Sequence, residues 1–526
     1  MLILPMAAAL LVSCSQADKL RLEQLEADYA ALQGRVAPEV PDAAEPVTGD
    51  PSEYSISFDR PCYGVDAGSS VNINFSLPES SEVEVLTKDG WTASVSAANG
   101  TEGTITVTAP DPASPTEVVV TARSHGGKMV ATNLPLKLRN PYSDATRPVM
   151  RALGYYSFKP ANATAENFRK LADAGLNMVT VETDEERWQE QIALAGQAGL
   201  KVLAVLIGRC DAYYNNPDSD TRLSEAVNWL KNRPEVVAYH VFDEPGVQHA
   251  HMLKTIKDRV EELDPTRPVY INFGPEASTE WMGVPTYYEY VNTLADYLDL
   301  KQISYDQYPI FPGRIQENWH KCLGIIADAA KRRGIDFWAF AASCWINKEA
   351  ATQLRERPNT YNLLLQIYTN LAYGAQTIQY FTIQDYGGTD FAPIMRDGTW
   401  TEAYDYLKEA NLQMQKRAFV FTGCNVAKIR RAGDSATIGD MLSVLDYPAQ
   451  IKNITVPWSA TVSFIENNGN EYIAVVNDYW SAEQPLSIEL ADSVYSIEPD
   501  GSFTICQSGV NNFTIPKGGM MVFKYK

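Results

Sequence analysis

Between residues 148 and 422 the chain alternates a short apolar run of strand character with a longer stretch of helical period, eight times in succession. Few topologies absorb such a repeat. A helical crossover returns the chain to the end from which the previous strand started, so successive strands lie parallel. The predicted strand and helix pairs are 152–158 with 164–174, 178–182 with 185–198, 201–207 with 222–231, and 236–242 with 250–263. They continue as 269–273 with 287–298, 302–306 with 317–332, 337–340 with 361–373, and 377–383 with 402–416. Eight units over roughly 270 residues match the size of one closed (β/α)8 or TIM barrel. An open doubly wound sheet is the rival, but it would carry a strand-order switch or a glycine-rich phosphate turn.

The flanks read differently. Residues 52–140 alternate polar with β-branched side chains in short runs bounded by Gly, Pro, Ser and Asp, which predicts an N-terminal Ig-like β-sandwich. Residues 423–526 return to strands at 460–465, 471–476, 486–490, 513–515 and 520–526, predicting a C-terminal β-sandwich. Within residues 15–51, Leu22, Leu25, Tyr29, Leu32 and Val36 recur at spacings of three and four, followed by a proline- and acid-rich linker over 37–51. The helical part is a weak self-association seam or a plain tether, since fewer than three heptads make a stable coiled coil doubtful.

Residues 1–14 are apolar and end in Leu11, Val12, Ser13 and Cys14. This resembles a bacterial lipoprotein signal, which implies lipidation of Cys14, attachment to a membrane and residence at the cell envelope. The other cysteines, Cys62, Cys210, Cys322, Cys344, Cys424 and Cys506, are scattered and suggest no disulfide framework.

Asp and Glu outnumber Lys and Arg by 65 to 44, a formal charge of -21, which argues against nucleic acid and for a neutral or weakly charged substrate. The chain shows no zinc-type Cys/His spacing, no phosphate-cradling lysine loop and no dinucleotide fingerprint, so no metal or cofactor is expected.

Chemistry concentrates where the fourth strand stops. An apolar run ends at Phe242 in Asp243, Glu244, Pro245 and Gly246. Proline removes a ladder donor and glycine permits a sharp exit, so both carboxylates stand at the strand's C-terminal end. In a (β/α)8 barrel that end carries the active site. Other strand-end acids are Asp306, in the Asp-x-Tyr-Pro context before Tyr308 and Pro309, Asp385 before Gly387, and Glu182 with Asp184. Tyr155, Tyr156, Arg209, Tyr239, Asn272, Tyr308, Trp345, Gln384 and Tyr386 fall at or near strand ends, Tyr155 and Tyr239 facing either the barrel interior or the helices according to strand alternation. Flat aromatic rings and amides suit a sugar's C–H faces and hydroxyls, so these residues and Glu182 are the expected carbohydrate contacts.

At this point the chain resembles the retaining glycoside hydrolases of clan A, in which a fourth-strand carboxylate followed by proline is the acid/base. Residues 374–381 look like the eighth strand of their β-galactosidase-type members, and Asp397, Gly398, Thr399 and Trp400 through Tyr404 to Asn411 like the helix after it. Residues 472–477 and 515–519 look like their terminal sandwich. The resemblance implies a glycosidase with Glu244 as acid/base and Asp243 orienting a neighbour. It also implies a nucleophilic glutamate ending the seventh strand, where this chain has Ala342, Ser343, Cys344 and Trp345. Glycoside hydrolysis usually takes two carboxyl groups, so the second is expected from another strand, Asp306 first and Asp385 next. Fourth-plus-sixth pairing is the arrangement of several α-glycosidase barrels. The departure at the seventh strand also admits a non-catalytic glycan-binding lipoprotein, or a barrel serving only as an envelope scaffold.

Overall fold

The computed structural model describes residues 54–97, 100–216, 220–347, 354–433 and 441–526. Cys14, the 17–36 segment and the linker lie outside the described residues.

The barrel closes in sequence order. Its strands are β1 (Arg151–Gly154), β2 (Met178–Glu182), β3 (Lys201–Val205), β4 (Val236–Asp243), β5 (Val269–Phe273), β6 (Gln302–Tyr305), β7 (Asp336–Ala342) and β8 (Thr377–Phe381), and β8 pairs in parallel with β1. The strands are covered on both faces, which explains their near-continuous apolar runs; every residue of β5 is buried. Leu153, Met178, Leu203, Ala238, Tyr270, Trp338 and Phe340 fill the interior. The opposite strand faces pack on the surrounding helices.

Those helices are α1 (Ala165–Asp173), α2 (Trp188–Gln197), α3 (Ile207–Asn215), α4 (Asp220–Leu230), α5 (Ala250–Leu263), α6 (Tyr287–Leu298), α7 (Trp319–Arg333), α8 (Thr360–Ala372) and α9 (Glu402–Lys416). Their starts follow capping chemistry. Thr164 caps α1, Thr286 and Glu289 form a capping box on α6, and Asn359 and Thr401 cap α8 and α9.

Two expectations of element extent change. The apolar run 201–207 is strand only to Val205; Leu206 makes one further bond to His240, and Ile207 opens α3, a helix inserted before the predicted one. A short apolar run reads alike as strand end or buried helix start. Gly208 permits the insertion, since a Cβ there would stand 2.1 Å from Asp184 Oδ2. Likewise β1 and β8 end at Gly154 and Phe381, although the segments after them stay joined, Ile383 N and Gln384 N donating to the Tyr155 and Tyr156 carbonyls at 3.0 and 3.1 Å.

The N-terminal unit packs a four-stranded and a three-stranded antiparallel sheet around Ile73, Phe75, Trp91, Ile105, Val107 and Val120. The C-terminal unit packs a six-stranded sheet on a three-stranded one around Val462, Phe464, Val475, Leu486 and Ile488. Four of its strands, Asn425–Ala432, Ile451–Thr455, Val494–Ile497 and Phe503–Cys506, lie outside the predicted set. The outer face of the larger sheet, with Ile465, Tyr472, Ala474 and Val476, joins the barrel core beside α8. Ser463 Oγ donates to the Ala372 carbonyl at 2.7 Å, and the buried Arg417 donates to the Met520 carbonyl at 2.9 Å.

Candidate active site

Strand β4 delivers its acids through a register shift. Ala238 and His240 face the barrel interior while Tyr239 and Val241 face the helices. The pairing with β5 then slips between His240 and Phe242. A bulge reverses the alternation, so Phe242 packs outward and Asp243 turns in. Tyr239 is therefore a scaffold residue, donating to Asp264 Oδ2 at 2.7 Å. Glu244 follows at φ +49°, the left-handed region that costs a side-chain-bearing residue of order 1–3 kcal/mol. The turn is held there. Glu244 N donates to the Asn272 carbonyl at 2.8 Å, and Tyr290 Oη donates to the Pro245 carbonyl at 2.8 Å. Gly274 gives the Trp281 ring room beside the turn: a Cβ there would lie 2.5 Å from Trp281 Cη2, and at an ordinary contact distance of 3.4 Å from Glu244 Cδ.

The strained turn brings Glu244 into hydrogen-bond contact with Asp306, the first residue beyond β6. Asp306 is 8% exposed, and its Oδ1 is buried without a hydrogen-bond donor. An ionised carboxylate is poorly served there, whereas a protonated one can donate to its neighbour. Burial pushes the Asp306 carboxyl well above its ordinary pKa, and the charges of Glu244 and Asp243 push it further. Burial of its carboxyl also raises Glu244, helped by Asp243. Both carboxyls therefore titrate above the usual carboxylate range.

A polar network inside the barrel fixes this pair from below. Asn272 Nδ2 donates to Asp243 Oδ1 at 3.1 Å and also faces Asp306. Its Oδ1 accepts from Ser304 Oγ at 2.8 Å. Ser304 lies 2.6 Å from Tyr270 Oη and accepts from Gln379 Nε2 at 2.9 Å, while Tyr270 Oη donates to Gln379 Oε1 at 2.7 Å. Beside it, His240 Nε2 lies 3.0 Å from the Phe242 carbonyl, which only accepts. Nε2 thus carries the hydrogen, Nδ1 accepts from Tyr155 Oη at 3.2 Å, and burial keeps the ring neutral. His240, Tyr270, Ser304 and Gln379 escaped the sequence reading because each lies within a strand that reads as core. Their signal was a polar residue at an inward position of an apolar run.

A second group of predicted residues gathers between β1, β2 and β8. The Tyr156 and Tyr386 rings stack with centroids 4.4 Å apart and planes 3° apart. They line a narrow cleft with Glu182, Lys159 and Asp385. Burial raises the Glu182 pKa to about 7, and Glu185, Asp184 and Asp243 add to that rise, opposed by Lys159. The lysine is occupied elsewhere, bridging Glu185 at 2.7 Å. Asp385 Oδ2 lies 3.3 Å from Arg396 Nε, and its buried Oδ1 has no donor. Asp243 connects the two groups, because its charge acts on Glu182 and Tyr156 as well as on Glu244 and Asp306.

The remaining predicted contacts divide. Tyr308 packs on Phe340 and Phe381 and feels all three acids of the central group. Tyr155 is 3% exposed, its ring edge-on to Phe340 with centroids 5.1 Å apart. Gln384 is 3% exposed, and its Oε1 accepts from Lys159 N and Asn162 Nδ2 at 3.0 and 3.1 Å. Trp345 Nε1 donates to the Arg355 carbonyl at 3.1 Å. Arg209 is drawn away, donating to Thr183 Oγ1 at 3.0 Å and pairing with Asp184 at 3.5 Å. The helix α3 insertion causes this, because it carries Arg209 back onto the loop after β2. At the end of β7, Ser343 donates to the Thr382 carbonyl at 3.1 Å, and burial pushes the Cys344 thiol up to about 12. Among the described residues no cluster of His, Cys, Asp and Glu is arranged to hold a metal ion.

No protein-family model matches the chain, and no curated protein does. Among solved structures it is similar to a glycoside hydrolase family 5 protein from Bacteroides vulgatus, at 12% identity and a TM-score of 0.47, over 74% of this chain and 90% of that one. It is similar to xylanase 10B from Thermotoga maritima at 12% identity and a TM-score of 0.36, over 52% of this chain and 97% of that one. A family 5 xyloglucanase from Bacteroides ovatus stands at 11% and 0.32, over 68% of this chain and 100% of that one. Likeness this remote assigns no chemistry, which has to be argued from the side chains.

Proposed function

We propose that this protein is a glycoside hydrolase acting on a neutral oligosaccharide or polysaccharide, with Glu244 as general acid/base and Asp306 as its partner. The observation behind this reading is the Glu244 and Asp306 contact at the C-terminal mouth of the barrel, where Asp306 is buried, Glu244 stands on an exposed turn, and both carboxyls are pushed above their ordinary pKa. Such a pair can give a proton to the leaving glycosidic oxygen and leave a carboxylate facing the cationic anomeric centre. Asp243 and Asn272 orient the pair, and the stacked Tyr156 and Tyr386 offer a flat wall to sugar C–H faces. Substrate entry has to part the two acids, since hydrolysis with retention places such carboxyls about 5–5.5 Å apart and with inversion about 6.5–9.5 Å. Glu244, on the exposed turn, is the member able to swing.

The direct contact also favours a second reading, a barrel that binds glycan without cleaving it. The two separate on a panel of aryl glycosides and polysaccharides, measured with the wild type, Glu244→Gln and Asp306→Asn. The hydrolase reading expects turnover that falls by roughly 10²-fold or more in each variant. Turnover equal in wild type and Glu244→Gln removes this mechanism; saccharide binding with no turnover supports the second reading. We further propose that lipidation of Cys14 holds the activity at the cell envelope, with the 17–36 segment giving weak self-association.

A further inference from the structure

A cavity of about 680 Å3 lies on the seam between the barrel and the C-terminal unit. One wall is the hairpin Ile310–Phe311 and Arg314–Ile315, continued through Gln316 and Glu317 into α7. The other is the turn after Asn477, with Tyr479, Trp480 and Ser481; Glu356 closes the side. The floor is internally satisfied. Arg431 pairs with Asp478 at 2.7 Å, Ser459 donates to Asp478 at 2.7 Å, and His320, held by Arg431 and Tyr373, is kept neutral by burial. With Arg431 and Asp478 spent on each other, the wall offers Arg314 against Glu317 and Glu356 and so presents no strong field of either sign. What it does offer is two half-buried aromatic rings, Tyr479 and Trp480, opposite hydrogen-bonding groups.

We propose that this cavity is a second saccharide site, taking a neutral sugar segment whose C–H faces lie on Trp480 and Tyr479 and whose hydroxyls meet Ser481, Glu317 and Glu356. Its volume falls in the range of small-ligand pockets, about 300–1,000 Å3. Aromatic rings beside neutral and acidic acceptors suit a polyhydroxylated, uncharged ligand better than an anion or a wholly apolar one. The ligand class comes from this lining alone and does not need Glu244 to be catalytic. The position adds a consequence. Gln316 N donates to the Pro309 carbonyl at 2.8 Å, three residues beyond Asp306, so the hairpin joins this cavity to the barrel mouth. A long glycan held here would be fed toward the carboxyl pair.

The test uses the full chain in a Glu244→Gln background, so that turnover does not consume the probe. Cellotetraose, mannotetraose, xylotetraose and galactotetraose are titrated by calorimetry and tryptophan fluorescence. The proposal expects at least one to bind, with affinity falling roughly tenfold or more in Trp480→Ala. Ser481→Trp, which fills the exposed mouth without emptying the core, should block binding with an unchanged melting temperature. It is overturned if none of the four binds, or if binding survives both Trp480→Ala and Ser481→Trp. Failure of turnover in the wild type, by contrast, would strike the hydrolase reading and leave this result untouched.

Discussion

Glu182→Gln tests the electrostatics of the candidate site directly. Glu182 ends β2 with Oε1 buried and without a donor, and its nearest cation, Lys159, is engaged by Glu185. Its pKa is raised from 4.5 to about 7 by burial first and by the acids around it second. A raised carboxyl pKa means that the folded state binds a proton the unfolded chain has released. Its stability contribution is therefore complete below pH 4.5 and is lost progressively as pH rises to about 7. At about 1.4 kcal/mol per pH unit, the loss comes to about 3 kcal/mol by pH 8. Glutamine keeps the shape and cannot ionise, so the variant should escape the loss. It also places an amide where an oxygen stood, a packing change that is the same at every pH and cancels in the difference. Urea unfolding of both proteins at pH 4 and pH 8 gives that difference. The variant should gain about 3 kcal/mol on the wild type between the two conditions, nearly all of it between pH 4.5 and 7. A gap that does not change with pH would refute the claim that Glu182 sits in the folded protein as an uncompensated acid.

Asn272→Ala removes the amide joining Asp243 to Ser304 and should cost about 1–3 kcal/mol in chemical denaturation, since Ser304 stays buried and Asp243 half-buried without it. A loss below about 0.5 kcal/mol would show the network to be dispensable. Gly274→Ala puts a Cβ 2.5 Å from Trp281 and 3.4 Å from the Glu244 carboxyl carbon, so Trp281 has to shift. Trp281 fluorescence should change with little loss of melting temperature, while Glu244, met at an ordinary contact distance, keeps its place; unchanged fluorescence would show that the ring does not pack on Gly274. Cys14→Ala should abolish incorporation of a labelled fatty acid and release the protein from the membrane fraction; retention of label would move the anchor elsewhere.

The barrel was legible because parallel strands covered on both faces and helices covered on one have different hydrophobic periods, and both survive in the order of residues. The predicted helices over 250–263, 287–298 and 402–416 coincide with α5, α6 and α9 for this reason. Four C-terminal strands escaped. Asn425–Ala432 is only partly buried along most of its length, so its alternation is shallow, and Val494–Ile497 and Phe503–Cys506 are four residues each. Arg209 stood near a strand end in the sequence, but an inserted helix turned it onto Asp184.

The sequence by itself determined that Asp243 and Glu244 stop the fourth strand of an eight-unit repeat, because proline and glycine act on their own neighbours and periodicity is local. It ranked Asp306 ahead of Asp385 as the partner, but could give neither a distance nor a state of protonation. Those depend on residues 62 positions apart meeting across the barrel, on a bulge that turns Asp243 inward, and on a left-handed turn that aims Glu244 at Asp306. Desolvation and the mutual field of three acids exist only once the barrel has closed, which is why the raised carboxyl pKa values belong to the tertiary structure alone.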